Sequence, residues 1–167
     1  MAKNLGKGAP MRVAGLLLLG IIVPLLATAG PSAADTVLSG TQLYKTKFSF
    51  QALRSRLDAA IEKNKVYVVS RASASAGAKH RGIKISGNMV VGVYRNDFAV
   101  RMLAASIPAG VEAPLRFYLT ENADGTATLS YRKPSAVFGP YGSKPLDALA
   151  KELDGLWAKI AADTLGR

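Results

Sequence analysis

An uncharged, apolar stretch near the N-terminus restricts this chain more than any other feature. Residues 13–29 contain no charged side chain, and they include four consecutive leucines at 16–19. Three basic side chains and no acidic one come before this stretch, namely Lys3, Lys7 and Arg12. Small residues come after it, at 27–29 and 32–34. This order is typical of a secretory signal peptide, so we predict one over residues 1–34.

Cleavage of this segment is expected near the Ala34–Asp35 bond, which would make the mature protein periplasmic or secreted. Cleavage after Ala29 is an alternative. A second alternative is an uncleaved anchor, because the seventeen residues 13–29 approach the lower length limit for crossing a bilayer. The protein would then contact the membrane only through this segment. Pro24 and the small residues after it argue against an anchor.

The absence of cysteine excludes several classes of protein. Disulfide scaffolds, thiolate metal sites and cysteine nucleophiles all require a residue that this chain lacks. An exported domain of this kind must be stabilised by its core alone, and 49% of the residues are hydrophobic. We expect a short leader over residues 35–42 and a single domain over 43–167.

The first half of this domain has the pattern of a strand, a helix and a second strand. Residues 43–48 alternate with the two-residue period of a strand. Ser49 is a favourable N-cap, and apolar residues then recur at three- and four-residue steps, which predicts a helix ending near Asn64. A strand is predicted over 66–70, and one helical turn over 78–81.

The second half begins with a strongly apolar run at 89–94, which predicts a further strand. Asn96 or Asp97 is expected to cap the helix that follows, and Pro108 is expected to end it.

Two strand-like runs at 115–121 and 126–132 are joined by residues 122–125, where Asp-Gly is a strong hairpin signal. Apolar residues at helical spacing over 146–160 predict a long C-terminal helix. The order predicts an α+β fold, an antiparallel sheet of about four to five strands packed on one face by an N-terminal helix and the long C-terminal helix.

Three short motifs carry a resemblance to a known family. They are Ala76-Gly77-Ala78-Lys79 running to Gly82-Ile83-Lys84-Ile85, Ala113-Pro114-Leu115-Arg116, and Asp124-Gly125-Thr126 leading to Leu129-Ser130-Tyr131 and Pro134. From about Tyr44 to Leu165 the chain resembles the family called domain of unknown function 302, in an exported subgroup. The resemblance implies a TATA-binding-protein-like fold in which a curved antiparallel sheet grips a long C-terminal helix, often as a homodimer. It implies no activity, because a fold does not fix a function.

Residues 63–101, which we call the basic segment, hold eight Lys and Arg side chains against the single acid Asp97. If this segment folds into one surface, that surface would attract an anionic small molecule, acidic lipid or polysaccharide. The alternative is an ordinary solvated surface. Nucleic acid is a poor candidate partner, because an exported protein meets little of it.

Two groups of polar side chains are the candidate ligand-binding residues: Arg95, Asn96, Asp97, Arg101, Glu112 and Arg116, and the basic run Lys79, His80 and Arg81. Arginine suits the recognition of carboxylates and phosphates. Structural ion pairs are the alternative interpretation: Asp97 with Arg101 at i,i+4 spacing, and Glu112 with Arg116.

Metal and cofactor chemistry finds little support in the sequence. His80 is the only histidine and has no nearby ligand in sequence, so we predict no metal site. Gly-x-Ser-x-Gly, zincin and phosphate-loop motifs are missing as well, so we predict no cofactor and assign no catalytic residue. Tyr131, Phe138, Tyr141 and Trp157 could line a pocket, but aromatic residues at such positions are more often core.

These observations favour a non-catalytic, exported module, expected to be a homodimer, that binds an anionic small molecule or envelope component. One alternative is a cofactor-free hydrolase or other enzyme using Asp97 or Glu112 as acid or base. Another is a dimeric assembly protein.

Overall fold

The helices and strands follow the predicted order in residues 37–167, the part of the chain that the computed structural model describes. The predicted signal peptide, its cleavage site and the alternative anchor lie outside these residues. Five strands form one sheet: β1 (Thr41–Ser49), β2 (Tyr67–Ala72), β3 (Asn88–Tyr94), β4 (Leu115–Glu121) and β5 (Thr126–Arg132). The sheet is antiparallel throughout, with the strand order β1-β5-β4-β3-β2.

Five α-helices accompany the sheet: α1 (Phe50–Lys63), α2 (Ala74–His80), α3 (Asn96–Ala105), α4 (Pro134–Phe138) and α5 (Lys144–Leu165). Short 3-10 turns follow α3 and α4, at Pro108–Glu112 and Gly139–Tyr141. The α+β class and the long C-terminal helix are therefore confirmed. Within residues 37–167, no helix combines the length and the apolar character needed to span a membrane.

The β4–β5 hairpin forms where the Asp-Gly signal predicts it. Gly125 adopts a positive φ of 79°, which a residue without a side chain adopts at little cost. The Asp124 carboxylate accepts hydrogen bonds from the Thr126 backbone N–H at 3.0 Å and from its hydroxyl at 2.6 Å. The turn therefore fixes the register of β4, the central strand of the sheet, against β5.

The two long helices bury the apolar faces that their spacing predicts. In α1 the Ser49 hydroxyl accepts from the Ala52 N–H at 3.3 Å, and Leu53, Leu57 and Ile61 are buried. In α5 the buried set is Leu146, Leu149, Ala150, Leu153, Trp157, Ile160, Ala161 and Thr164. Both faces pack on the side of the sheet that carries Phe117 and Leu129, so the core lies between sheet and helices.

Aromatic side chains fill the centre of this core. The Phe117 ring stacks on Trp157 with ring centroids 5.8 Å apart and meets Tyr131 edge-on at 5.3 Å. Burial raises the pKa of the Tyr131 phenol above its usual value. Phe138 is also buried, whereas Tyr141 is half-buried. The core interpretation is therefore confirmed for Tyr131, Phe138 and Trp157.

Helix α2 is longer than the single turn predicted over 78–81. Its N-terminus is capped twice: the Ser73 hydroxyl accepts from the Ala76 N–H at 3.1 Å, and the Asn88 side chain accepts from the Ala74 N–H at 2.9 Å. Asn88 belongs to β3, fourteen residues further along the chain. Because the second cap comes from a distant strand, local spacing could not reveal where the helix begins.

Asp163, near the end of α5, joins that helix to the end of α1. Its carboxylate accepts hydrogen bonds from Lys63 at 2.6 Å, from Asn64 at 2.8 Å and from Lys159 at 3.3 Å. The Lys63 ammonium, with help from the Asn64 amide, holds the pKa of Asp163 well below its usual range.

We expect Asp163→Asn to destabilise the fold at neutral pH. A carboxylate with a lowered pKa contributes its stability above the unfolded-state pKa and loses it as the pH falls below about 4. The difference in unfolding free energy between wild type and variant should therefore shrink below about pH 4. Urea titrations over a range of pH measure it, with Glu62→Gln as an exposed control on α1. If the free energy of unfolding depends on pH in the same way in wild type and Asp163→Asn, the prediction is refuted.

Candidate functional site

The predicted pair between Asp97 and Arg101 does not form. Asp97 instead accepts two hydrogen bonds from Arg95, at 2.7 and 2.8 Å. Arg95 occupies the N-cap position of α3, so the expected cap by Asn96 or Asp97 is wrong; Asn96 is the exposed first residue of the helix. The Arg95 guanidinium folds back over the Phe98 ring at 3.8 Å and meets Asp97 from there. This hydrogen bond lowers the pKa of Asp97.

Arg101 pairs across the fold with Glu152 of α5, at 3.2 and 2.7 Å. Helix α5 passes beside α3, and Glu152 presents both carboxylate oxygens to the planar guanidinium. A bidentate tertiary partner of this kind competes successfully with an i,i+4 neighbour. Asp97 and Arg101 therefore belong to two separate ion pairs.

Glu112 and Arg116 do not meet either. Glu112 accepts a hydrogen bond from the Tyr141 hydroxyl at 2.9 Å, and this contact raises the pKa of Tyr141. Arg116 is exposed on β4 between core residues, so its side chain points to the opposite face of the sheet. Glu112 belongs to the 3-10 turn before β4 and not to the strand, so the i,i+4 spacing does not bring the two side chains together.

Lys79 is the one residue of the predicted basic run that lines a large concave surface. Its neighbours His80 and Arg81 are exposed at the end of α2 and lie outside the lining. Among residues 37–167, no three histidine or acidic side chains come close enough to hold a metal ion.

This concave surface, which we call the basic groove, has a volume of ≈ 780 Å³ and lies between the start of α1, helix α2 and the segment 82–87. Three cationic side chains line it, Arg54, Lys79 and Lys84. Four large apolar side chains line it as well: Phe50, Ile83, Ile85 and Met89. The volume is within the usual range of about 300–1,000 Å³ for small-molecule sites.

Backbone hydrogen bonds hold the segment 82–87 in place at both ends. Gly82 adopts a φ of +72° after α2, and the N–H of Ile83 bonds back to the Ala78 carbonyl at 3.0 Å. At the other end, the Gly87 N–H donates to a Glu121 side-chain oxygen at 2.7 Å, and the Gly87 carbonyl accepts from the Glu121 N–H at 2.8 Å. The segment is therefore fixed as one wall of the groove.

Only half of the cations in the basic segment form an ion pair within residues 37–167. Four of its eight cations have an acidic partner: Lys63 with Asp163, Arg71 with Asp58, Arg95 with Asp97, and Arg101 with Glu152. Lys79, Lys84 and the additional cation Arg54 have no ion-pair partner within residues 37–167. The other two cations of the segment, Lys65 and Arg81, have no such partner either and do not line the groove. The groove therefore combines three unmatched cations with one acidic side chain, Glu121, which accepts a hydrogen bond from the Gly87 N–H.

Sequence reasoning missed the contribution of α1 to this groove. Arg54 lies outside the basic segment, and Lys84 belongs to the segment but not to the predicted candidate residues. The available signal was the i,i+4 spacing of Phe50 and Arg54, which places both on one face of α1. That face becomes part of a site only because the start of α1 lies across the groove from α2 and the segment 82–87.

A second, smaller concave feature lies between α3, α5 and the adjoining ends of β3 and β4. This pocket, which we call the Trp157 pocket, has a volume of ≈ 40 Å³. Arg95, Phe98, Ala99, Met102 and Trp157 are among the residues that line it. It therefore contains one residue of the predicted polar set, Arg95, with its guanidinium already bound to Asp97.

Comparison with known proteins identifies the family. The family model described as "Domain of unknown function DUF302" matches residues 43–162. A search of the curated proteins found no match. The crystal structure of the uncharacterized conserved protein DUF302 from Bacillus stearothermophilus superposes with a TM-score of 0.66 at 16% sequence identity, covering 77% of this chain and 98% of that one. That likeness supports the fold, and the family match extends over most of the described residues. The chain therefore belongs to the DUF302 family.

Proposed function

We propose that this protein is an exported, non-catalytic module that binds anionic amphiphiles, molecules with an acidic head group and an apolar chain, in its basic groove. The observation that carries the proposal is the combination of three unmatched cations, Arg54, Lys79 and Lys84, with apolar lining. We call this lining the apolar floor; it consists of Phe50, Ile83, Ile85 and Met89. Unmatched cations in a concave surface raise the local concentration of anions.

The apolar floor narrows the ligand class. Ile83 and Ile85 keep 46% and 47% of their surface exposed, which leaves apolar area for a ligand to cover. Each methylene that such a ligand buries contributes about 0.8 kcal/mol. A polysaccharide would use the cations but not this floor, so a lipid-like acid fits the groove better.

The N-terminal sequence supports a role outside the cytosol, where nucleic acid is scarce. Asp97 and Glu112 are both engaged with protein donors, Arg95 and Tyr141, which gives no reason to prefer the enzymatic alternative. The homodimer, the exported subgroup and the likeness to the TATA-binding-protein fold stay predictions.

Titration calorimetry on the full-length protein tests the proposal. We expect decyl phosphate to bind, and decyl maltoside, which has no charge, and butyl phosphate, which has a short chain, to bind at least about tenfold more weakly. Affinity for decyl phosphate should fall as salt increases. Binding to vesicles of phosphatidylglycerol, but not to vesicles of phosphatidylcholine, would identify a membrane as the source. Equal affinity for decyl phosphate and decyl maltoside would contradict the proposal.

A further inference from the structure

The face of the sheet that points away from the core carries exposed side chains. Phe117 and Leu129 point to the core and are fully buried. Side chains alternate between the two faces along a strand, so the residues next to these two lie on the other face. The pairing of β1, β5 and β4 places six side chains at its centre: Leu43, Lys45, Arg116, Tyr118, Ser130 and Arg132. We call the surface formed by these six the open face; Ser130 is half-buried and the other five are exposed.

The open face is positively charged. Lys45, Arg116 and Arg132 have no ion-pair partner within residues 37–167. Glu121 is the only acidic residue in strands β1–β5, and it alternates to the buried side of the sheet. Asp124 lies near Lys45 in the β4–β5 turn, where its carboxylate already accepts two hydrogen bonds. The five strands therefore place no acid beside these three cations.

Two of the cations, Arg116 and Arg132, lie directly opposite each other. The register pairs Phe117 with Tyr131, so the residue before Phe117 faces the residue after Tyr131. Side chains opposed in this way have Cβ atoms about 4.5–5.5 Å apart, and like charges there destabilise a sheet. Arg132 donates to the Ala136 carbonyl at 3.3 Å, a neutral acceptor that leaves the repulsion in place. An acid group bound between the two guanidinium groups would remove this repulsion.

The third cation lies too far from this pair for a small anion to bind all three. Lys45 is opposite Thr128, four residues along β5 from Arg132, which corresponds to about 13 Å. Leu43 and Tyr118 lie in the row between them and keep 46% and 40% of their surface exposed. The open face thus presents positive charge, apolar surface and positive charge in succession. An extended polymer with repeated acid groups and apolar surface between them matches this pattern.

We propose that the open face binds a linear acidic polysaccharide, at a site separate from the basic groove. One carboxylate or sulfate group binds between Arg116 and Arg132, a second binds Lys45, and the C–H face of a sugar ring between them stacks on Tyr118. A second copy of this chain is a poor occupant, because it would bring like charges together.

Other polyanions match the open face less well. Protein interfaces are more apolar at their centre, whereas here the centre of the sheet carries Arg116 on β4. Single-stranded nucleic acid stacks successive bases on aromatic side chains, and the open face has one ring, Tyr118, between its cations.

Calorimetric titration of polygalacturonate into the full-length protein tests the proposal. Arg116→Gln with Arg132→Gln should weaken binding at least about tenfold, because both guanidinium contacts to one acid group are lost. The matched control, Lys144→Gln with Lys151→Gln, removes two exposed charges from α5 and should leave the affinity within about twofold. Equal weakening in the two double variants, or undiminished binding after the arginines are replaced, would overturn the proposal.

Tyr118→Ala tests the sugar contact separately from charge. It should weaken polygalacturonate binding at least about fivefold and leave poly-glutamate, which has carboxylates but no sugar rings, unaffected. Unchanged polygalacturonate binding in this variant would contradict the stacking. Poly-glutamate or single-stranded DNA that binds wild type as tightly as polygalacturonate would overturn the choice of a polysaccharide, in favour of an acidic protein or a nucleic acid.

A last variant separates this site from the basic groove. Replacing Arg54, Lys79 and Lys84 by glutamine should leave the polygalacturonate affinity within about threefold of the wild type, since none of the three lies on the open face. A larger loss in this variant than in Arg116→Gln with Arg132→Gln would place the polymer in the groove and refute the assignment.

Discussion

Phe117→Ala is expected to lower the free energy of unfolding by about 3–5 kcal/mol, the usual cost of deleting a fully buried aromatic ring. Phe117 is 0% exposed at the centre of the sheet, between Trp157, which it stacks on, and Tyr131, which it meets edge-on. Those rings belong to α5 and β5, so the cavity left behind is bounded by a long helix and a strand that is paired on both sides, which cannot collapse into it easily.

The matched control is Tyr118→Ala. Tyr118 is the next residue of β4, lies on the opposite face of the sheet and is 40% exposed, so its truncation should cost less than about 1 kcal/mol. Urea titrations followed by the fluorescence of the single tryptophan measure both variants, with circular dichroism as a second probe of unfolding for Phe117→Ala. Equal losses in the two variants would contradict the placement of the core.

Much of the fold could be predicted because its signals are local. The Asp-Gly turn of β4–β5, the Ser49 cap of α1 and the apolar face of α5 each depend on residues within a few positions of one another. Helix α2 was underestimated because part of its cap is Asn88 of β3. Helix α4 is not among the predicted elements, and its N-terminus is held by Asp154 of α5, which accepts from the Ser135 N–H at 2.9 Å.

The partners of polar side chains could be predicted less well from the sequence than the helices and strands. Residue types and spacing predict an ion pair between Asp97 and Arg101. In the structure, Arg101 instead pairs with Glu152 of α5, and Asp97 pairs with Arg95. Ion-pair partners depend on how helices pack, and spacing along one chain does not contain that information. The excess of positive charge in the basic segment was visible, but which cations remain unmatched became clear only from the structure.

Neutralising the three groove cations together is the second change with a large expected effect. In the variant Arg54→Gln, Lys79→Gln and Lys84→Gln, the apolar floor stays in place while the positive charge is lost. Each exposed contact between a cation and a phosphate contributes about 1 kcal/mol after screening by solvent. The three losses should therefore raise the Kd for decyl phosphate about 100-fold, since about 1.4 kcal/mol corresponds to tenfold.

The salt dependence of binding should change in the same variant. Cations that contact the head group are screened by salt, with a Debye length of about 10 Å at 0.1 M. Decyl phosphate binding to the wild type should weaken as salt rises, and the residual binding of the triple variant should be nearly insensitive to it. This second readout separates a lost electrostatic contact from a distorted groove.

A control variant with the same change in net charge excludes a general effect of charge. Lys133, Lys144 and Lys151 are exposed on or next to α4 and α5, and none of them lines the groove. Their triple replacement by glutamine removes the same three positive charges elsewhere. Its affinity for decyl phosphate should stay within about threefold of the wild type, because none of the three lysines lines the groove and exposed charges are screened by salt.

The most direct test of the basic groove as a site for anionic amphiphiles is calorimetric titration of decyl phosphate into the wild type and both triple variants under one buffer condition. The groove variant should lose about 100-fold in affinity and the control variant almost none. Equal weakening in the two variants, or undiminished binding after Arg54, Lys79 and Lys84 are neutralised, would show that the ligand binds somewhere else.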